Sequence, residues 1–360
     1  MTVFFLVVFL VFALMHSIVI FWFCQNTKGL SLTLFVKILP LILTVTYFLL
    51  YLLSRKTGSY FLETFLLSYL GALFLAFALV FVLVFVNFIL RILHKKMPET
   101  LGYPVLIIWV ITVALSLYTA AKAPKITEIY LDAPALKQDV KIALITDTHF
   151  GATVSPKRAE SLKQILLKQN PNLILFGGDI FETKAGASKP WTDILASVAP
   201  GKKFGVLGNH EYYMGFDDSH ISFERAGIKL LENQSTISED VNIIGVNDIK
   251  TTVLSKGNFI NLLKKEIKPD NFNILLTHTP LYFKEAAQNG IDLMLSGHTH
   301  KGQIWPFNFL VKLVFPYFNG QYEEGKAKLF VSSGTFFWGP PLRLFSDNEI
   351  VIITLRGKKN

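Results

Sequence analysis

Val140-Lys141-Ile142-Ala143-Leu144-Ile145-Thr146-Asp147-Thr148-His149 is a short apolar run that ends in two metal-ligating side chains. Its length and its β-branched residues predict a buried strand rather than a helix. The same phrase, a strand followed by ligands, recurs downstream. Asn172–Phe176 runs into Gly178-Asp179, and Lys203–Leu207 into Gly208-Asn209-His210-Glu211. Asn273–Leu276 runs into Thr277-His278, and Leu293–Ser296 into Gly297-His298-Thr299-His300. Further strands are expected at Val241–Val246, Leu329–Ser332 and Glu349–Leu355, with a helix near Pro156–Gln169. Strands alternating with helices predict an α/β class, and in such sheets ligand sites gather where strands run out.

Together the motifs offer two Asp, one Asn and five His, with no thiolate. Hard oxygen and imidazole ligands in that mixture suit two adjacent divalent ions such as Mn, Fe or Zn, and such a pair is suited to hydrolysing phosphate esters. Side chains two apart in an extended segment share a side, so Asp147 and His149 are expected to reach one ion together. The same spacing lets His298 and His300 approach from one edge. Gly177, Gly178, Gly208 and Gly297 permit tight turns beside the ligands. A lone Asp-x-His or Gly-Asp is more often a simple turn; five motifs in order at strand ends are not. Five of the eight histidines fall in them, whereas His94 and His220 read as solvated loop positions.

Leu144-Ile145-Thr146-Asp147-Thr148-His149, Leu207-Gly208-Asn209-His210-Glu211-Tyr212-Tyr213 and Ser296-Gly297-His298-Thr299-His300 resemble the calcineurin-like metallophosphoesterase superfamily, in its bacterial membrane-attached branch. So does the tail Val331-Ser332-Ser333-Gly334-Thr335 with Gly339-Pro340-Pro341-Leu342-Arg343. The resemblance covers roughly Lys141–Leu355. It implies a four-layer sandwich of two mixed β-sheets flanked by helices. It further implies that Asp147, His149 and His300 bind one metal, that Asn209, His278 and His298 bind a second, and that Asp179 bridges both. His210 would face the scissile phosphate, as acid to the leaving oxygen or as a donor to the transition state. Two metals about 3.5–4 Å apart would bind phosphoryl oxygens and make hydroxide at neutral pH for in-line attack.

Some positions depart from the branch. Glu182 stands where Asp is common and reads equally as an acceptor orienting a ligand imidazole or as a solvated side chain. Lys301 replaces a glycine and reads as a surface lysine or a phosphate contact. Arg343 could grip a phosphate bidentately or pair with a loop carboxylate. Asn247-Asp248 replaces an Asp-rich turn without removing a ligand. Ile304–Leu310 and Leu313–Phe318 are rich in aromatics and close to the last ligand. They read either as packing between elements or as a flap that dips into a bilayer surface and admits a lipid-like phosphodiester.

Residues 1–125 have a different composition. Apolar runs at Val3–Cys24, Leu32–Leu53, Phe61–Leu90 and Tyr103–Ala121 each approach or exceed the roughly 20 residues that cross a bilayer. An all-α region of about four transmembrane helices is expected there, ahead of a metallophosphoesterase domain over 126–360. A cleavable signal peptide would explain only the first run. This part carries nine Lys and Arg against two acids, and the remainder 26 against 24, within a net charge of +9. The basic balance belongs to the apolar part and gives no support for nucleic-acid binding. Cys24 is the single cysteine, so no disulfide forms within the chain. Basic residues flank the runs four against four, so the positive-inside rule does not separate the sides. The dense cluster Arg91–Lys96 favours a cytoplasmic third loop in the plasma membrane, with the catalytic domain outside. His16, Lys37 and Glu63 are the ionisable groups in the runs, too few for a proton path.

The expected function is a membrane-tethered phosphoric ester hydrolase, a phosphodiesterase, with a phosphoester substrate that the flap would make lipid-linked. A membrane sensor or scaffold with a metal-binding but non-catalytic domain is the alternative. The complete ligand set beside His210 argues against it. A transporter with a regulatory domain suffers from too few helices and few polar membrane residues.

Overall fold

The computed structural model describes residues 2–28, 33–95, 97–98, 100–198 and 202–358. They form two compact units, Met1–Thr119 with Gly339–Leu344, and Ala120–Trp338 with Phe345–Asn360.

The first unit is built on four helices: α1 (Thr2–Asn26), α2 (Leu34–Thr57), α3 (Tyr60–Ile92) and α4 (Gly102–Ala121). All four are long and apolar enough to cross a membrane. At 1.5 Å per residue the 33 residues of α3 reach about 50 Å, beyond what a perpendicular crossing needs. Leu6, Leu10, Leu49, Leu52, Phe81 and Phe85 face outward, as expected of helices whose solvent is lipid. Inside, Phe12, Met15, Tyr47, Leu66 and Leu73 form one cluster, and Trp22, Val80 and Val105 another. His16 is buried and satisfied by its neighbours. Its Nδ1 lies 2.9 Å from the Phe12 carbonyl and 3.0 Å from Thr44 Oγ1, and its Nε2 2.6 Å from the Tyr69 hydroxyl. The turn between α2 and α3 follows from local chemistry. Gly58 adopts a left-handed φ of 64° and its N–H closes α2 on the Ser54 carbonyl. Ser59 then accepts from the Leu62 N–H to start α3. Lys96 and Glu99, which belong to the expected basic third loop, lie outside the described residues.

In chain order the second unit adds β1 (Lys125–Asp132), β2 (Val140–Ile145), α5 (Pro156–Gln169), β3 (Leu173–Phe176), α6 (Lys189–Ala196), β4 (Lys203–Gly205), α7 (Asn209–Met214), α8 (Phe216–Arg225) and β5 (Lys229–Leu230). These are followed by β6 (Gln234–Ser238), β7 (Val241–Val246), α9 (Lys256–Glu266), β8 (Phe272–Thr277), α10 (Phe283–Gln288), β9 (Leu293–Ser296), α11 (Phe307–Val314), β10 (Gly320–Glu324), β11 (Ala327–Val331) and β12 (Glu349–Arg356). The strands make two six-stranded sheets, ordered β1-β12-β2-β3-β4-β5 and β10-β11-β9-β8-β7-β6. Both are mixed: β12 opposes β2 in the first, and β10–β11 and β6–β7 are antiparallel in the second.

Period-two burial explains the layers. On β2, Ile142 and Leu144 enter the core between the sheets with Leu173, Leu175, Ile274 and Leu276. Ala143 and Ile145 point the other way, against Leu162 and Leu166 of α5 and Leu195 of α6. The second sheet mirrors this, with Leu275 and Met294 against Phe259 and Leu263 of α9 and Phe283 of α10. Helix, sheet, sheet and helix thus form the four-layer sandwich of two mixed sheets, preceded by four apolar helices.

Candidate metal centre

β2, β3 and β4 run parallel in one sheet, and β8 and β9 in the other. Every motif leaves the C-terminal end of one of these strands. The loops after β2 and β3 are tied together: the Asp147 N–H donates to the Gly178 carbonyl, the His149 N–H to the Asp179 carbonyl and the Phe150 N–H to the Ile180 carbonyl, at 3.0, 3.0 and 2.9 Å. The expected extended geometry is not what brings the side chains together. Asp147, His149, Asp179, His298 and His300 have left-handed φ of 55°, 47°, 53°, 69° and 48°. For residues with a Cβ each such conformation costs on the order of 1 kcal/mol, held here by the flanking strands and loop hydrogen bonds. Two glycines are required by close approach. A Cβ on Gly297 would collide with Thr146 Oγ1 and Asp147 Oδ2, and one on Gly208 with Asp179 Oδ1.

Three groups of ligand atoms result, each with its atoms within 4.8 Å of one another: Asp147, His149 and His300; His149, Asp179 and His210; and Asp179, His278 and His298. Asp179 Oδ2 lies 3.0 Å from His278 Nε2, 3.9 Å from His149 Nε2 and 4.0 Å from His210 Nε2. His149 Nε2 faces His300 Nε2 at 3.0 Å, and His278 Nε2 faces His298 Nδ1 at 3.1 Å. His298 and His300 therefore serve different groups, although they are two residues apart.

The donor set fits metal. The His278 ring nitrogen Nδ1 lies 2.8 Å from the Gly177 carbonyl and His149 Nδ1 2.8 Å from Glu182 Oε1. Both partners only accept, so these nitrogens carry a proton and each Nε2 points inward, where its lone pair can bind a cation. Lone pairs facing carboxylates and one another are repulsive unless a cation or proton lies between them. Asn209 Oδ1 is buried and has no hydrogen-bond partner among the described residues. A buried acceptor left in that state calls for an ion or water. With no ion between Asp179 and His278, a proton on His278 Nε2 takes that place: burial disfavours an imidazolium at His278, yet Asp179 beside it raises its pKa well above the usual value. Burial likewise opposes ionisation of Asp179, yet the surrounding imidazoles hold it well below the carboxylate range.

Residues 140–302 match the family described as Calcineurin-like phosphoesterase, a span that holds every motif. An uncharacterised metallophosphoesterase of Campylobacter jejuni is 34% identical over 76% of this chain and 72% of its own. The chain belongs to the calcineurin-like phosphoesterases. It is similar to an uncharacterised metallophosphoesterase of Aquifex aeolicus, at 32% identity over 62% of this chain and 87% of that one. It is also similar to a transmembrane protein with metallophosphoesterase domain from Bos taurus, at 32% identity over 70% of this chain and 62% of the relative. Calcineurin-like phosphoesterases are metal-dependent hydrolases of phosphoric esters, and the four apolar helices associate this one with a membrane.

Other side chains set the geometry of this phosphoesterase centre. Glu182 Oε1 lies 2.8 Å from both His149 Nδ1 and His210 Nδ1, so it orients imidazoles rather than facing solvent. Burial alone would raise its pKa, but the two imidazoles bring it down to about 2. His210 responds in the opposite sense. Burial would lower it, yet Glu182 and Asp179 raise it to about 9. Sequence reasoning missed Glu211. Its buried carboxylate accepts from the Asp179 and Gly208 N–H groups at 2.9 and 2.8 Å, and from those of Ile180 and Phe181 at 2.6 and 3.1 Å. The available signal was an acid placed directly after Asn209-His210 at the start of a helix. Asp248 was also undervalued: it is buried, accepts from Thr279 Oγ1 and the Thr251 N–H, and so pins the residue after His278. Tyr213 and Trp338 flank His210, ring centroids 5.5 and 5.6 Å away. Gln303 holds the Trp338 backbone through its N–H and carbonyl at 2.9 and 2.8 Å.

Two expectations are placed differently, and one alternative is favoured. His220 is on α8, not in a loop, with Nε2 2.6 Å from Glu232 Oε1. Arg343 is fully buried and grouped with the helical unit, its backbone N–H donating to the Ser116 carbonyl at 3.0 Å. Lys301 lines a cleft with Lys125, Asp347 and Glu349, the setting of a surface lysine among carboxylates.

Proposed function

We propose that this chain is a multi-pass plasma-membrane phosphodiesterase with two divalent ions, Mn, Fe or Zn, in one centre. Residues 1–125 form the membrane region and 126–360 the catalytic domain, which the basic cluster at Arg91–Lys96 would leave outside. The observation that carries the reading is the position of Asp179, shared by two groups of candidate ligands that together hold four imidazoles. Asp147, His149 and His300 would hold one ion, Asn209, His278 and His298 the other, with Asp179 between.

Bound ions would supply positive charge to the phosphoryl oxygens and acidify water. The chain's residues do the rest. Thr146 Oγ1 donates to Asp147 Oδ2 at 2.6 Å, and the His298 N–H donates to the same carboxylate at 3.2 Å, which fixes that carboxylate. Glu182 accepts hydrogen bonds from the Nδ1–H groups of His149 and His210, leaving His149 Nε2 as a ligand and His210 Nε2 as the position from which a proton reaches the leaving oxygen. Beside His210 the rim carries Tyr213 and Trp338, aromatic rather than cationic. That suits a monoanionic diester better than a dianionic monoester.

The test is hydrolysis of bis-p-nitrophenyl phosphate and p-nitrophenyl phosphate by the full chain in detergent, stripped of metal and then supplied with Mn, Zn or Mg. Turnover should require metal, favour the diester and vanish in Asp179→Asn, while His210→Ala should lower kcat about 100-fold or more. Preference for the monoester would reject the diesterase. Two bound metals without any turnover would point to a sensor.

A further inference from the structure

α11 is eight residues long and none of them is buried. Leu313 is 83% exposed, Val314 62%, Leu310 57% and Phe309 55%. Water-facing surfaces rarely collect such a patch without a partner. At 100° per residue Asn308 and Lys312 fall together on one side, and the apolar residues take the remaining arc. The helix is tied to the centre at its end. Phe315, the next residue, is buried with its ring 5.1 Å from that of His298, and Thr299 Oγ1 donates to the Phe318 carbonyl at 2.7 Å. Buried Phe315 is therefore not available to dip into a bilayer, as the flap reading had it; Leu310 and Leu313 are exposed.

The chemistry around α11 selects one occupant. Residues 298–318 contain no Asp or Glu. The Lys312 ammonium sits 5.1 Å over the Phe318 ring and that of Lys250 5.2 Å over Phe315, so the apolar face is edged by cations. An apolar helix face with basic flanks complements anionic headgroups above an acyl layer. A chain carrying four helices of membrane-crossing length has such a surface permanently at hand. Near His210 the rim is apolar too, with Tyr213 73% and Trp338 49% exposed.

We infer that α11 is an interfacial anchor. It inserts Leu310, Leu313 and Val314 into the headgroup–acyl boundary of an anionic bilayer, and the substrate is a phosphoester whose organic part is embedded there. The substrate half rests on the phosphodiesterase reading above; the anchor does not.

The full chain is reconstituted in vesicles containing phosphatidylglycerol, in a Cys24→Ser background. A fluorophore is placed at Leu313→Cys or, as control, at Ile237→Cys, an exposed position on β6. Lipids with a shallow nitroxide should quench the label at 313 several-fold more than at 237. Equal quenching, or cross-linking of Leu313→Cys between copies in place of quenching, would overturn the anchor. In parallel, Leu310→Ser/Leu313→Ser should lower hydrolysis of hexadecyl p-nitrophenyl phosphate in the vesicles about tenfold and leave bis-p-nitrophenyl phosphate turnover unchanged. An equal fall for both esters would overturn the substrate half. Failure of the wild type on both esters would reject the phosphodiesterase reading, failure on the hexadecyl ester alone would overturn the substrate half, and the quenching result would stand on its own.

Discussion

Glu182 accepts from two imidazoles at a single oxygen, one a proposed ligand and one the proposed proton donor. Its negative charge raises the His210 pKa, so the neutral isostere Glu182→Gln must lower it. The donor is present below the His210 pKa and lost as pH rises through it. The basic limb of a kcat–pH profile should therefore move to lower pH in Glu182→Gln, and an unmoved limb would separate His210 from the limb. Glu211 acts on backbone rather than on ligands. Four N–H groups around Asp179 and Gly208 depend on it, and an amide at this position can satisfy only part of them. Glu211→Gln should cost about 2 kcal/mol in denaturant unfolding, and metal affinity measured by titration should fall about tenfold or more. The candidate ligands that the fold brings together were legible in the sequence because metal chemistry restricts the residue types. Glu211 was not, because its partners are backbone groups and leave no pattern of side chains.

At the scale of elements, the buried strands were readable because their apolar runs are short and continuous: β2, β3, β7, β8 and β9 lie where the runs lie. β1 and β6 were not, since edge strands with mixed polar residues lack that signal. α6 and α8 are held from outside by one lysine. Lys203 is buried, and its ammonium donates to the Leu195 and Ala226 carbonyls at 2.7 and 3.0 Å, at the C-terminal ends of both helices. Cations stabilise helix C-termini and satisfy their free carbonyls. Lys203→Met keeps the stem and removes those bonds, so it should cost about 1–3 kcal/mol in denaturant unfolding. Hydrogen exchange should quicken at the ends of α6 and α8 and not on α9.

For the whole molecule, left-handed candidate ligands, closely facing imidazole nitrogens and an unpartnered Asn209 oxygen mean that the centre holds unfavourable energy that bound cations would offset. Metal at 100 times its dissociation constant would add about 2.7 kcal/mol per site to folding. A chelator should therefore speed hydrogen exchange in the loops at 147–150, 178–182 and 298–303 and leave α1–α3 unchanged; equal protection with and without metal would contradict this. The chain's residues alone determined the α/β class, the four apolar helices and the set of candidate ligands, because burial period, span length and ligand type are local properties. Only the tertiary structure decided which ligands share a group, that Glu182 serves two imidazoles, that Arg343 is a buried residue of the helical unit, and that α11 is left exposed. Each of these depends on which strand ends and loops meet, and that is set by sheet order and loop conformation, which residue spacing does not carry.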